Sequence, residues 1–473
     1  MMSCQIIAPS VPDGVRQDKR FIVYIRAVPE GEWQQVETYA ARVDMHDVRQ
    51  AAVGIFDFAG RVEVRVRPAV SWIHSVFIRP LSLGLNPVSD GHEIRFTLSE
   101  PADMMLEING ERYHCLHLFA GEIQSAPVNN VLWLDAGQPG PHTTATRRLL
   151  SQLTGMPAGT TLAFGPGLHV IEEYLFPVLS GLNVYIAPGA VVIGGFVADG
   201  VENVRIYGHG VILQESFHRF SSINGVRISH SRHVIIEGVT FINPPHYTLY
   251  LGGSEDITIR GIRAFSCEGW SDGIDMMSCR KVHIDRCFLR NSDDCIAVYG
   301  RRWAYNGDTQ DVLVENSILW ADVAHPTNIG THGDYEHDGN VLERITFRNI
   351  DILEHHEFQP DYLGCLAINA GDRNTVQDVL YEDIRVEQIA HGKLIDVQVK
   401  YNPDYNPAPG HCIRRVTFRN IHCGCMPPVA SVIAGYDESR SVRDITLENV
   451  TVQGKPAEIE IGSWTENIVE ISR

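Results

Sequence analysis

The stretch 270–300, WSDGIDMMSCRKVHIDRCFLRNSDDCIAVYG, carries Asp272, Asp275, Asp293 and Asp294 in a region that otherwise reads as strand. Carboxylates are poor strand formers and repel one another, so a group of them needs a chemical reason. Asp272 and Asp293 are 21 residues apart, and Asp294 follows directly. If that interval is one turn of a stacked structure, Asp272 and Asp293 stack about 5 Å apart and three carboxylates share one patch. Repulsion then raises the pKa of at least one carboxyl and leaves another ionised, setting a proton donor beside a proton acceptor. Asp275 is assigned the ordinary role of an aspartate in a turn, bonding the backbone.

The elements that must hold these residues repeat. A polar residue, an alternating Val/Ile run, a short turn and a second alternating run recur nine times. Examples are ENVRIYGHGVI from Glu202, RHVIIEGVTFIN from Arg232, RKVHIDRCFLRN from Arg280 and QDVLVENSILWA from Gln310. Successive copies start 23 to 37 residues apart, and their strands are short and bounded by Gly, Asn or Asp. That pattern predicts a right-handed parallel β-helix, each coil stacking on the last around a column of Val, Ile, Leu and Phe. Leucine-rich repeats are excluded by the missing Leu spacing and helical half, and a propeller by the short period. The stretch HTTATRRLLSQL, residues 142–153, predicts a helix that caps the open N-terminal end of the coils.

Residues 1–128 show alternating strands with no shared period, such as FIVYIRAV and RVEVRVRP, which predicts an antiparallel β-sandwich. The fold class expected is therefore all-β, a sandwich over 1–128 followed by a β-helix catalytic domain over 129–473. The sandwich is expected to shield its neighbour rather than bind carbohydrate.

Composition narrows the function. With 44% hydrophobic and 21% charged residues and no run of about 18 apolar residues, a membrane-spanning helix is excluded. A net charge of −19 disfavours nucleic acid and anionic membranes as partners. The N-terminal segment has no basic stretch followed by a long apolar core, so a cytoplasmic location is expected. The ten cysteines lack zinc-site spacing and are expected as buried, reduced thiols. His325, His337, His355 and His356 are scattered over predicted loops, so no metal or other cofactor is expected.

SDGID at 271–275 followed by NSDDCIAVYG at 291–300 resembles the catalytic signature of glycoside hydrolase family 28, the polygalacturonases. The layout of sandwich then β-helix is similar also to family 49, which contains dextranases and isopullulanases. The resemblance covers roughly residues 130–460 and implies an inverting glycosidase acting on an oligo- or polysaccharide. It implies Asp293 as general acid, with Asp272 and Asp294 holding and activating the attacking water. A histidine follows on the next coil in the family, and His332 in GTHGDYE is matched to it.

The chain departs from the family where polygalacturonases carry an Arg-Ile-Lys strand that pairs with the substrate carboxylate. Here Ala367, Ile368 and Asn369 stand in the corresponding coil. A neutral, dextran-like α-glucan is therefore favoured over a galacturonide, with Arg301, Arg302 and Arg373 as possible substitutes for the missing cations. Trp270, Tyr299 and Trp303 are expected to stack on sugar rings, with Asn328 and Asn369 as hydrogen-bonding partners. Trp320, inside a repeat, is assigned to the core. A polysaccharide lyase and a non-catalytic glycan-binding β-helix are the readings from other classes.

Overall fold

The computed structural model describes residues 5–135 and 142–471. From Val131 to Ile471 the chain winds through a 32-strand sheet in which each strand pairs in parallel with the one a coil away, except for the short Lys455–Pro456 strand, which pairs antiparallel. Such crossovers are right-handed, and the result is the β-helix that the repeats predict. The repeats align in register: Val204, Val234, Ile257, Val282, Val312, Ile345, Val379, Val416 and Ile445 follow one another coil by coil. All nine are buried, each contributing about 1.5–3 kcal/mol by leaving water. Two positions on, Phe347, Tyr381 and Phe418 stack with ring centroids 4.9 and 5.1 Å apart.

The polar residue that opens each repeat also has a structural reason. Asn203, His233, Asp256, Lys281, Asp311, Arg344, Asp378, Arg415, Asp444 and Asn467 all adopt φ between 53° and 60°. This left-handed residue turns the chain into the strand, and Asn and Asp tolerate it best.

The cap helix spans Thr146–Leu153, shorter than expected. His142–Thr144 instead pairs in parallel with the strand through His169–Ile171, because β-branched threonines suit a strand. Leu149 and Leu153 close the end of the core column.

The N-terminal unit consists of a six-stranded and a five-stranded sheet. The smaller sheet is antiparallel throughout, but in the larger one Arg49–Ala59 runs parallel to Glu111–Glu122. The intervening chain crosses to the other sheet before returning, which allows parallel neighbours without a hairpin. This larger sheet packs on the β-helix: Phe119, Cys115 and Met105 join Phe265, Phe288 and Trp320 in one buried cluster. Trp320 is thus a core residue. Eight of the nine cysteines among the described residues are buried, and all nine are free; Cys4 lies outside those residues.

A charged group is buried at this junction. Arg290 is fully enclosed, donating to both oxygens of Asp322 at 3.0 and 3.1 Å with its guanidinium 3.8 Å from the Trp320 ring centroid. Arg290→Ala leaves Asp322 buried without its counter-charge and is expected to lower unfolding free energy by about 3–5 kcal/mol, read from urea denaturation. A change below about 1 kcal/mol would mean that water reaches the pair.

Candidate active site

Each coil turns a corner between its second and third strands, and three successive corners build the site. Asp272 lies before Ile274–Met277, Asp294 before Ile296–Tyr299 and His325 before Thr327–Gly330. Gly273 N–H donates to Asp294 O at 2.8 Å and Cys295 N–H to His325 O at 2.8 Å. With Ile274 opposite Ile296 and Ile296 opposite Thr327, the ladder continues through the corner. The stacked column is therefore Asp272, Asp294, His325. Asp293 stands beside it, opposite Ser271, so the expected stacking of Asp272 on Asp293 is off by one residue. The coil holds one residue more than the interval between those two aspartates.

The three carboxylates do converge, with one oxygen from each of Asp272, Asp293 and Asp294 within 4.8 Å of the others. Their environments differ. Burial and then the neighbouring Asp294 push Asp293 up to about 6. Its Oδ2 accepts from Trp270 N–H at 2.7 Å and its Oδ1 from Asp294 N–H at 3.0 Å. Trp270 presents that N–H from a left-handed conformation, φ 64°. Asp272 is raised well above the carboxylate range by burial and by the charges of Asp275, Asp293 and Asp294.

Asp294 is different. Burial alone would raise it, but donors outweigh burial and hold it below its ordinary value. His325 gives Oδ1 a backbone N–H at 3.0 Å and Nδ1 at 2.6 Å. Asn328 Nδ2 donates to Oδ2 at 2.8 Å, the Tyr299 hydroxyl at 3.2 Å and the Tyr362 hydroxyl at 3.4 Å. The cluster thus pairs two carboxyls that favour their protons with one that favours its charge.

The histidine that touches the carboxylates is His325, not His332. His332 packs its ring on Tyr299 at 4.9 Å, and burial with the nearby Arg302 keeps it neutral. His325 is fully buried rather than a loop histidine, while His355 bonds Leu363 O and His337 pairs with Asp334. Asp275 also departs from expectation. It is fully buried, and neither oxygen meets hydrogen-bond geometry, although Tyr247 lies against it. Burial, then Asp294, raises its pKa well above the usual range. The fold thus favours its neutral form. That stability is present below the ordinary carboxylate pKa and is lost as pH rises through the raised value. Asp275→Asn removes the loss, so its melting temperature should exceed the wild type's increasingly toward alkaline pH; a parallel decline would show Asp275 to be ionised in the fold.

The expected sugar-contacting residues divide. Tyr299, Asn328 and Arg302 lie at the carboxylates, and Arg302 makes no ion pair among the described residues. Asn369 is buried on the floor opposite Gly330, with both amide atoms lacking partners. Trp270 and Trp303 are 46% and 51% exposed, Trp303 stacking on Tyr250 one coil before the cluster. Arg301 and Arg373 are drawn away: Arg301 pairs with Asp334 and Glu336, and Arg373 bonds His337 O. Sequence reasoning missed Tyr247, Tyr362, His246 and Tyr250; only the coil register could have placed them. Asp334, Glu336 and His337 form a second group of possible metal ligands, already occupied by Arg301.

Comparison with known proteins follows this geometry. The family model described as Glycosyl hydrolases family 28 matches residues 198–469. Among curated relatives, a polygalacturonase of Chamaecyparis obtusa is 33% identical over 49% of this chain and 43% of its own length. A probable exopolygalacturonase B of Aspergillus terreus is 22% identical over 47% and 54%. The chain thus spans about half the length of the curated relatives it matches. Among solved structures, Dex49A from Penicillium minioluteum superposes with TM-score 0.66 at 14% identity, covering 98% of this chain and 96% of that one. A family 28 exopolygalacturonase of Yersinia enterocolitica gives 0.50 at 11%, covering 91% and 98%. These two likenesses concern the fold.

Proposed function

Because the chain belongs to glycosyl hydrolase family 28, we propose that it hydrolyses an α-glycosidic bond of an oligo- or polysaccharide by single displacement. The observation that carries the reading is the convergence of a raised Asp293 and a lowered Asp294 around one point. Water attacks the anomeric carbon and gives its proton to Asp294. The glycosidic bond breaks as Asp293 protonates the leaving oxygen. Asp272, holding its proton, hydrogen-bonds the water. His325, Asn328 and Tyr299 keep Asp294 oriented and ionised.

A neutral sugar at the cleaved position is the favoured substrate. Ala367, Ile368 and Asn369 offer no cation on the floor, and Lys393 and Lys400 one coil further are held by the buried Asp396. A galacturonide is the second reading, favoured by Arg302, whose guanidinium lies near the carboxylates without an ion pair among the described residues, and by the names of the curated relatives. Hydrolysis of neutral α-glucan oligosaccharides and of oligogalacturonides, with Asp293→Asn as control, separates them. Release of reducing ends from glucans alone supports the first reading. Release from galacturonides that Arg302→Gln abolishes supports the second, and no release from either rejects hydrolysis.

A further inference from the structure

We propose that the cleft is closed on its N-terminal side and that the protein removes sugars from a chain end, which rests on the hydrolase reading above. The floor of the cleft is the third face of the β-helix, with strands Val226–Ser229, Leu249–Gly252, Ile274–Met277, Ile296–Tyr299, Thr327–Gly330 and Gly364–Ala370 in order. An open groove would run across these strands, along the helix axis, past the carboxylates in both directions.

The segment 300–308 prevents this on one side. It leaves the floor after Tyr299, turns through the reciprocal Arg302 and Tyr305 backbone bonds of 3.0 and 3.1 Å, and folds back over earlier coils. The Tyr305 hydroxyl bonds Ser229 Oγ at 2.7 Å, on the strand two coils before Ile274–Met277. Its ring lies flat where Gly252 has no side chain; a Cβ there would come within 2.3 Å of the ring. Met277, Ala297, Tyr299 and Tyr305 make a small buried cluster of their own outside the main core, so the hairpin is packed onto the floor.

Trp303 extends this contact across the whole face. It stacks on Tyr250 of the floor, centroids 5.3 Å apart and planes 12° apart, and reaches His246 at 5.7 Å on the opposite corner. His246 meets Trp270 at 6.1 Å, and Trp270 meets Phe220 at 5.9 Å. Rings from both edges thus join one coil below Asp272 and Asp275, since Tyr250 is the register partner of Asp275. That wall stands one strand spacing, about 4.8 Å along the helix axis, before the carboxylates. On the other side the Tyr362 and Tyr405 rings stack 5.2 Å apart, with the Tyr362 hydroxyl 3.4 Å from Asp294, and the floor offers the amide of Asn369.

The test follows oligosaccharides labelled at one end, using whichever glycan is cut, and reads product sizes at early conversion. The wild type is expected to release one short product size while the remaining chain shortens stepwise. Trp303→Ala, and Gly252→Val, whose Cβ meets the Tyr305 ring first, are expected to raise the share of mid-chain fragments several-fold. A ladder of mid-chain fragments from the wild type overturns the inference and leaves the hydrolase reading intact. End-wise release that persists in both folded variants overturns the role of the hairpin. Absence of cleavage on every glycan overturns the hydrolase reading and this inference together.

Discussion

Asp293→Asn is expected to lower kcat by about 10²–10⁴-fold, the range supplied by a positioned proton donor. The amide has the shape of the acid but has no proton to transfer to the leaving oxygen. Both oxygens of Asp293 accept a backbone N–H, from Trp270 and from Asp294, so an Asn must set its NH2 against one of them. That lost bond costs about 1 kcal/mol, and the variant should remain folded by circular dichroism. Wild-type turnover by the folded variant would remove Asp293 from the chemistry.

The second large effect is expected at His325. Asp294 must be ionised to take a proton from water, yet burial opposes its charge, and His325 Nδ1 at 2.6 Å is the shortest of its contacts. A hydrogen bond to a charged group contributes about 1.5–3 kcal/mol, so His325→Ala should reduce kcat roughly 10- to 150-fold. The pH profile separates this role from mere packing. The acid works when protonated, so activity falls as pH rises through about 6, where Asp293 titrates. The base works when ionised, so activity falls on the acid side as Asp294 gains its proton. Without His325 the pKa of Asp294 rises and the acid limb moves to higher pH, while the alkaline limb stays near Asp293. A reduced rate with both limbs unmoved would make His325 a packing residue only.

The register explains what the sequence alone could convey. Nine alternating runs announced the β-helix because each coil repeats the same burial problem, and Val204, Val234 and Ile257 solve it identically. Asp272, Asp293 and Asp294 were legible because carboxylates are out of place beside strands. His325 was not, although it stands in plain view in VAHPTNIG. Its partner Asp294 is 31 residues away, and only counting coils through Ile296 and Thr327 brings them together. Arg301 and Arg373 looked available because Asp334, Glu336 and the His337 carbonyl that engage them lie in loops of unpredictable path. The parallel pairing of Arg49–Ala59 with Glu111–Glu122 escaped notice because alternation reports burial, not strand direction.

The central claim is that Asp294 and Asp272 hold the attacking water while Asp293 protonates the leaving oxygen. The general rule places carboxyl pairs about 5–5.5 Å apart in retaining enzymes and about 6.5–9.5 Å apart in inverting ones, and the oxygens here are close. Two features outweigh that rule. Asp272 and Asp294, stacked on adjacent coils, bring one oxygen each within 4.8 Å of the other, close enough to hold one water between them. Asp294, the carboxylate held in its ionised state, is fixed by His325, Asn328 and Tyr299, and it takes the proton of the water held beside it. Proton NMR of the first sugar released from an α-linked substrate, taken before the anomers equilibrate, tests this most directly. The account predicts that the β-anomer appears first, and initial release of the α-anomer would contradict it.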